Sequence, residues 1–300
     1  MTGRLDAGCT AAVRVPATSA NLGPGFDCMG LALAMYDELS AEVLPAGLDL
    51  QLSGCGADEV PRDESHLVVA TLRAGLADLA AEAPGLRLRA HNVIPHSRGL
   101  GSSAAAIVAG LALAWGLARP GEPLDVAWAC RLSSLAEGHP DNACAAVLGG
   151  IVLAWMSDGQ VEVVQLPAAE GLRAIAWVPD FRVPTAGARE VLPELVKRTD
   201  AVAQATCSAL LVHALTNDVG RLLPATRDRL HQDQRAPLMP PSADLVARLR
   251  AAGVAAVVSG AGPTVLALGT TQQLAAADGV SDEGFVRHDL ALAGGVELVG

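Results

Sequence analysis

Between Ala104 and Ala118 the chain runs AAAIVAGLALAWGLA without a charged residue. A helix that is apolar all round is either buried or crosses a membrane. This run is rich in Ala and Gly and falls short of the ~18–20 apolar residues of a span. It is therefore read as a buried helix. Directly before it stands Gly99-Leu100-Gly101-Ser102-Ser103, so a glycine- and hydroxyl-rich loop opens onto the N-terminus of a core helix.

The rest of the composition bounds the setting. A length of 300 residues allows one large domain or two ordinary ones. Apolar residues make up 51% and aromatics 3%, so the core is expected to consist mostly of Ala, Val and Leu. The opening segment MTGRLDAGCTAAVRVPATSA has no charged region followed by a continuous apolar one. The expectation is a soluble, cytoplasmic protein with no membrane partner. The six cysteines are scattered without a C-x-x-C pair, and the seven histidines show no zinc-type spacing, so buried thiols are expected. A net charge of −11 argues against nucleic acid as a partner. Of the basic residues only Lys197 is a lysine, which all but excludes a lysine-dependent mechanism at the glycine loop.

Pattern places the elements. AAVRVPATSANLGPGFD reads as a short strand followed by a polar, turn-rich loop. LALAMYDELSAEVL, GLDLQLSG and LRLRAHNVI read as strands, and HLVVATLRAGLADLAAEA has helical periodicity. LDVAWACRLSSLAEG is a helix broken at Gly138-His139-Pro140, and NACAAVLGG is a short one. GIVLAWM, VEVVQL and LRAIAWVP follow as strands. TAGAREVLPELV, AVAQATCSALLVHALTN and SADLVARLRAAG read as helices, and VAAVVSG and PTVLALG as strands joined by a tight GAG turn. Mixed order without strict βαβ alternation gives an α+β class. A break near Pro167-Ala168 divides the chain into units 1–167 and 168–300.

Glycines let backbone N–H groups approach a ligand, and a helix N-terminus favours an anion, so the loop suits a phosphate. A plain N-cap at Ser102 or Ser103 is the alternative. G-x-x-x-x-G-K-[S/T] is absent. Gly99 to Ala104 fits the dinucleotide pattern G-x-G-x-x-A, but residues Pro95 to Arg98 intervene where that pattern wants a tight strand-to-helix turn. Two further polar glycine loops, PATSANLGPGFDCMG and SGAGPT, suggest one composite site.

Together these segments resemble the GHMP kinases over essentially the whole chain. PHSRGLGSSAAA, which contains Pro95, Arg98, Gly99, Leu100, Gly101, Ser102, Ser103, Ala104 and Ala105, is similar to the family's ATP-phosphate loop. VPATSANLGPGFD, EGHPDNACAAVLGG, PTAGAR and SGAGPT resemble its homoserine kinase branch. The resemblance implies transfer of the ATP γ-phosphoryl group to the hydroxyl of L-homoserine, on the route to threonine. It also implies a ribosomal-S5-like N-terminal domain, a ferredoxin-like C-terminal domain, ATP in the cleft between them, and a homodimer. Another kinase of the superfamily, or a non-catalytic binder with the same fold, is the alternative.

On that resemblance, Ser103 and Glu137 are the expected Mg2+ ligands, with Ser102 behind them. A zwitterionic substrate needs both signs of charge. Asp27, with Asn21 beside it, is assigned its ammonium group, and Arg189 and Arg235 its carboxylate. Thr185 is placed near the phosphates or the acceptor hydroxyl. Ser259, Gly260 and Gly262 form the third glycine loop. Asn142 stands where some relatives carry an aspartate base, and an amide cannot accept a proton. Asn142 is expected to orient the hydroxyl, with His139 as the alternative base.

Overall fold

The computed structural model describes residues 3–183 and 185–299. The first half runs β1 (Gly3–Arg4), β2 (Thr10–Asn21), β3 (Gly25–Leu44), β4 (Gly47–Gly54), α1 (Leu67–Asp78), β5 (Ala81–Glu82) and β6 (Gly85–Asn92). It continues through α2 (Ser102–Ala118), α3 (Val126–Glu137), α4 (Pro140–Leu148), β7 (Ile151–Ser157) and β8 (Gln160–Leu166). The second half holds β9 (Arg173–Pro179), α5 (Thr185–Glu190), α6 (Arg198–Thr216), α7 (Leu222–Ala225), α8 (Gln232–Arg235) and α9 (Pro240–Ala251). It ends with β10 (Ala255–Val258), β11 (Val265–Gly269), α10 (Thr271–Leu274), β12 (Phe285–Leu290) and β13 (Glu297–Val299).

The apolar run is the buried helix α2, packed against α1, α3, α4 and β2. Ala and Gly are there because neighbours come close. A Cβ on Gly110 would fall on the Thr71 hydroxyl and within 2.7 Å of the Val68 carbonyl, both on α1. Behind α2 lies a seven-stranded sheet, ordered β13-β2-β3-β6-β4, with β7 and β8 continuing from the far part of β3. Its pairings are antiparallel except β4 with β6, which are connected through α1. A second sheet, β10-β11-β9-β12, is antiparallel throughout. One core runs through both halves, from Val15 and Leu31 to Ala176, Leu211 and Leu266. A smaller cluster, including Trp177, Leu249 and Val265, fills the space between the second sheet and α9. The class is α+β.

The structure corrects four expectations. VPATSAN is no loop but the buried second half of β2, which passes two register shifts, at Pro16/Ala17 and Ala20/Asn21. Burial on both faces removes the alternation by which a strand is recognised. The helix expected to Ala83 stops at Asp78, where Ala80 turns left-handed (φ 53°) and Ala81–Glu82 pair with β1. The helix expected over 185–196 ends at Glu190, ahead of Pro193, which disfavours helical backbone at Leu192. The second unit is not continuous to residue 300, because β13 pairs with β2 and returns the tail to the first sheet.

Candidate active site

The glycine loop starts at the end of β6. Asp37 of β3 accepts the backbone N–H groups of Val93 (2.6 Å) and Ile94 (2.9 Å) and fixes the chain as it leaves the sheet. Burial pushes the Asp37 carboxyl up to about 6. Ser97, Gly99 and Gly101 then adopt left-handed backbone, with φ of 55°, 78° and 67°. Gly101 is the N-cap of α2 and no side chain caps that helix. This disposes of the plain N-cap reading, since Ser102 and Ser103 already lie inside the first turn. The first-turn N–H groups receive no side-chain cap, and such a helix N-terminus could hold an anion. Leu100, Ala104 and Ala105 are buried, so any contact they make with a ligand runs through the backbone.

Beneath Gly101 lies a residue the sequence reading missed. Thr18 of β2 donates its hydroxyl to Asn142 Oδ1 (2.9 Å), and its N–H bonds to the Leu100 carbonyl (3.0 Å). The bond orients the Asn142 amide, so that Nδ2 is the end turned to the cavity. Thr18 lies within VPATSANLGPGFD, but nothing in that segment singles it out from its neighbours, because it stands in a strand that reads as a loop.

The helix pair α3–α4 supplies the next groups. Glu137 ends α3 and Gly138 turns left-handed (φ 87°). The Ser103 hydroxyl donates to Glu137 Oε2 at 3.1 Å, which brings together the two expected metal ligands. Burial raises the Glu137 carboxyl, a cost that a cation would offset. His139 Nδ1 lies 2.7 Å from Asp141 Oδ1, and the same oxygen accepts the Asn142 N–H. Hydrogen bonding to Asp141, ahead of the opposing effect of burial, raises the His139 pKa. The imidazole holds its proton to higher pH than a free one.

Across the cavity, Arg189 grips Asp27 with two hydrogen bonds, 3.0 and 3.1 Å, while both side chains remain partly exposed. Arg235 is buried. Its Nε donates to the Ala188 carbonyl (2.8 Å), its Nη1 approaches His231 Nδ1 (3.2 Å), and its guanidinium lies over Phe26. Burial, then the nearby Arg189, lowers its pKa. Thr185 begins α5, but its side chain lies outside the described residues.

Other expected residues act as braces. Asn21 spends its amide on the Gly260 carbonyl (2.9 Å) and the Asp27 N–H (3.0 Å), holding Asp27 in left-handed backbone. Ser259 donates its hydroxyl to the Gly99 carbonyl (2.6 Å), its Oγ lies 2.8 Å from the Ser19 hydroxyl, and Gly262 N–H closes the turn onto the Ser259 carbonyl. Arg98 donates to the carbonyls of Pro179, Asp180 and His96, tying the phosphate loop to the end of β9. Pro95 is partly exposed in the same loop.

These groups enclose a cavity of about 150 Å3 lined by Asp27, Ser103, Glu137, His139, Asn142, Arg189 and Arg235. Ser97, Ser102 and Ser103 form its boundary with a second cavity of about 280 Å3, lined in part by Val60, His66, Val68 and His96. Leu39, Val60, Pro61, Leu67 and Val68 give this lining an apolar part, with Asp37, Asn92 and the two histidines beside it, whose pKa burial lowers. His96, Ser97, Ser102, Ser103 and Ala106 belong to the phosphate-loop segment, while the other residues of the lining are scattered and share no motif.

The family model for the GHMP kinases N terminal domain matches residues 66–150, and that for the GHMP kinases C terminal domain matches 211–283. A homoserine kinase of Cutibacterium acnes is 57% identical over 289 residues, covering 95% of this chain and 98% of its own. One of Streptomyces avermitilis is 46% identical, covering 93% and 92%. The crystal structure of homoserine kinase from Cytophaga hutchinsonii superposes with a TM-score of 0.85 at 27% identity, covering 97% of this chain and 98% of that one. With both halves matched in order and relatives of such identity along nearly their whole length, the chain belongs to the homoserine kinases of the GHMP kinase superfamily.

Proposed function

We propose that the chain carries the γ-phosphoryl group of ATP to the side-chain hydroxyl of L-homoserine, giving O-phospho-L-homoserine, with the groups of the 150 Å3 cavity in the roles below. One observation carries the reading. A cavity with both signs of charge, Asp27 opposite Arg189 and Arg235, opens directly onto an uncapped helix N-terminus beside a nucleoside-sized neighbour. An amino acid is recognised by its ammonium and carboxylate groups, a phosphate by the backbone cradle. A coupled assay with ATP, Mg2+ and homoserine, serine, threonine, shikimate or mevalonate tests it. Homoserine should turn over fastest, and faster turnover of shikimate or mevalonate would refute the assignment.

Asp27 and Arg189 neutralise one another in this structure, and substrate enters between them. Asp27 then takes the ammonium group and Arg189, with Arg235 behind it, the carboxylate. Arg189→Met should raise the homoserine KM roughly ten- to a hundredfold, the ~1.5–3 kcal/mol of a charge-assisted hydrogen bond, with the ATP KM unchanged. Equal weakening of both substrates would make Arg189 structural. It is the cleaner test than Arg235, whose buried head also braces Ala188.

Ser103 and Glu137 present hard oxygens side by side at the phosphate loop, a donor set that fits Mg2+. Among the described residues no cluster of three or more His, Cys, Asp or Glu could hold a metal alone, in keeping with an ion shared with phosphate oxygens. The ion would neutralise charge on the transferring phosphates. Asn142 Nδ2 orients the acceptor hydroxyl. The raised pKa of His139 favours a protonated imidazole beside Asp141, and the Asn142 amide offers no base. The hydroxyl proton leaves late, to phosphate, as suits a loose transition state.

The reading includes a homodimer, the assembly the family resemblance implies, and a cytoplasmic location. No helix of the described residues is long and apolar enough to cross a membrane. Sedimentation equilibrium tests the dimer, a monomer mass at micromolar concentration counting against it.

A further inference from the structure

The second half contains a cavity that the phosphoryl-transfer site does not use. It measures about 260 Å3 and lies between the segment Thr226–Ala236 and α9. Met239 and Val258, both buried, are among its apolar lining, and Arg227, Arg229 and Arg250 bring it three guanidinium groups. Arg250 is half-buried, and its hydrogen-bond partners are all neutral. Nη1 donates to Thr226 Oγ1 (2.9 Å) and the Ala256 carbonyl (3.0 Å), and Nη2 to the Leu223 carbonyl (2.6 Å). Burial and the neighbouring Arg227 both work against its charge.

The acids nearby do not compensate. Asp228 stands between Arg227 and Arg229 in sequence but turns inward. Its Oδ1 accepts from Gln204 (3.0 Å) and Leu230 N–H (3.2 Å), and its Oδ2 from His231 and Gln232 N–H (2.8 Å each). Asp233 sits on the exposed rim. Among the described residues Arg227, Arg229 and Arg250 form no ion pair. In a chain of net charge −11, three such arginines on one cavity are out of keeping with the surroundings. A half-buried guanidinium with neutral partners only, beside two exposed arginines on the same cavity, is a setting that favours an anion.

We propose that this cavity binds a small anion with an apolar body, a carboxylate or a phosphate ester, through Arg227, Arg229 and Arg250. The site is also placed to act on the homoserine clamp. Asp228 holds the backbone of Leu230–Gln232, from which His231 Nε2 reaches the Gly23 carbonyl (2.8 Å), and Arg235 follows one turn later on α8. An occupant that draws Arg227 and Arg229 inward pulls on the segment that seats Arg235.

Titration calorimetry on the whole enzyme, with the nucleotide site saturated by Mg-ADP, tests the proposal using inorganic phosphate and, separately, isovalerate. At least one should bind one to one. The double variant R227A/R229A, altered only at exposed side chains, should bind it at least tenfold more weakly and keep its Tm, kcat and both KM values without the anion. Phosphate binding alone assigns the phosphate-ester class, and isovalerate alone the carboxylate class. Failure of both anions to bind at about 50 mM, on the order of the weakest useful affinity, overturns the site, as does equal binding by the variant. In wild-type enzyme the bound anion should change the homoserine KM at least threefold and leave the ATP KM in place. Binding with no such change overturns the link to the clamp.

Discussion

Gly101→Val should lower kcat/KM for ATP at least a hundredfold, a loss of about 2.7 kcal/mol in transition-state stabilisation, and also reduce Tm. Three effects converge on this residue. Its φ of 67° is left-handed, which costs a residue with a side chain ~1–2 kcal/mol. A Cβ would be driven onto the Thr18 hydroxyl and come 3.3 Å from Asn142 Oδ1, the bond that aims the Asn142 amide. The first-turn N–H cradle of α2 would shift with it. The clash arises from the first carbon, so Gly101→Ala should show most of the loss. Sequence alone suggests a different cause, steric exclusion of the phosphates with the fold untouched. The packing replaces it with damage to Thr18 and Asn142 from within. Gly101→Ala with the ATP kcat/KM of the wild type would contradict this account. A lowered Tm with unchanged turnover in the folded fraction would reduce the loop to a structural turn.

The parts of the site legible in sequence are those whose chemistry is local. The glycine–serine loop and the apolar helix behind it follow from residue type and order. The pairing of Ser103 with Glu137 and the facing of Asp27 and Arg189 on one substrate come from the family resemblance, and the ion pair between Asp27 and Arg189 from neither. The braces were illegible because they use the same polar residues as ligands do. Asn21 and Ser259 look like binding groups in a glycine loop, and only the carbonyls of Gly260 and Gly99 show where their bonds go. Thr18 was hidden by burial, which erases the strand's alternation. The second cavity draws Asp37 from β3, His66 from the start of α1 and His96 from the glycine-loop segment, so no single spacing announces it. The last strand carries no signal for its partner, since pairing with β2 depends on how far the tail can travel back across the fold.

Asp141→Asn separates a charged His139 from a basic one. The substitution keeps size and an oxygen for the Asn142 N–H, and removes the negative charge 2.7 Å from His139 Nδ1. The Asp141 hydrogen bond is the largest cause of the raised His139 pKa, so the variant's imidazole should lose its proton at lower pH. If protonated His139 is the working form, activity falls as pH rises through its pKa. The alkaline limb of kcat/KM for homoserine should then move to lower pH, so that the variant loses more of its activity at pH 8 than at pH 6. Stability should follow the same sign. A histidine whose folded pKa is raised adds stability that is full below its unfolded pKa, near 6.5, and fades as pH rises through the folded value. The variant should therefore lose more Tm at pH 5.5 than at pH 9. A histidine acting as base requires the opposite profile, an acid limb that moves to lower pH in the variant. Finding that limb, together with undiminished turnover at alkaline pH, would make His139 the base and Asn142 a bystander.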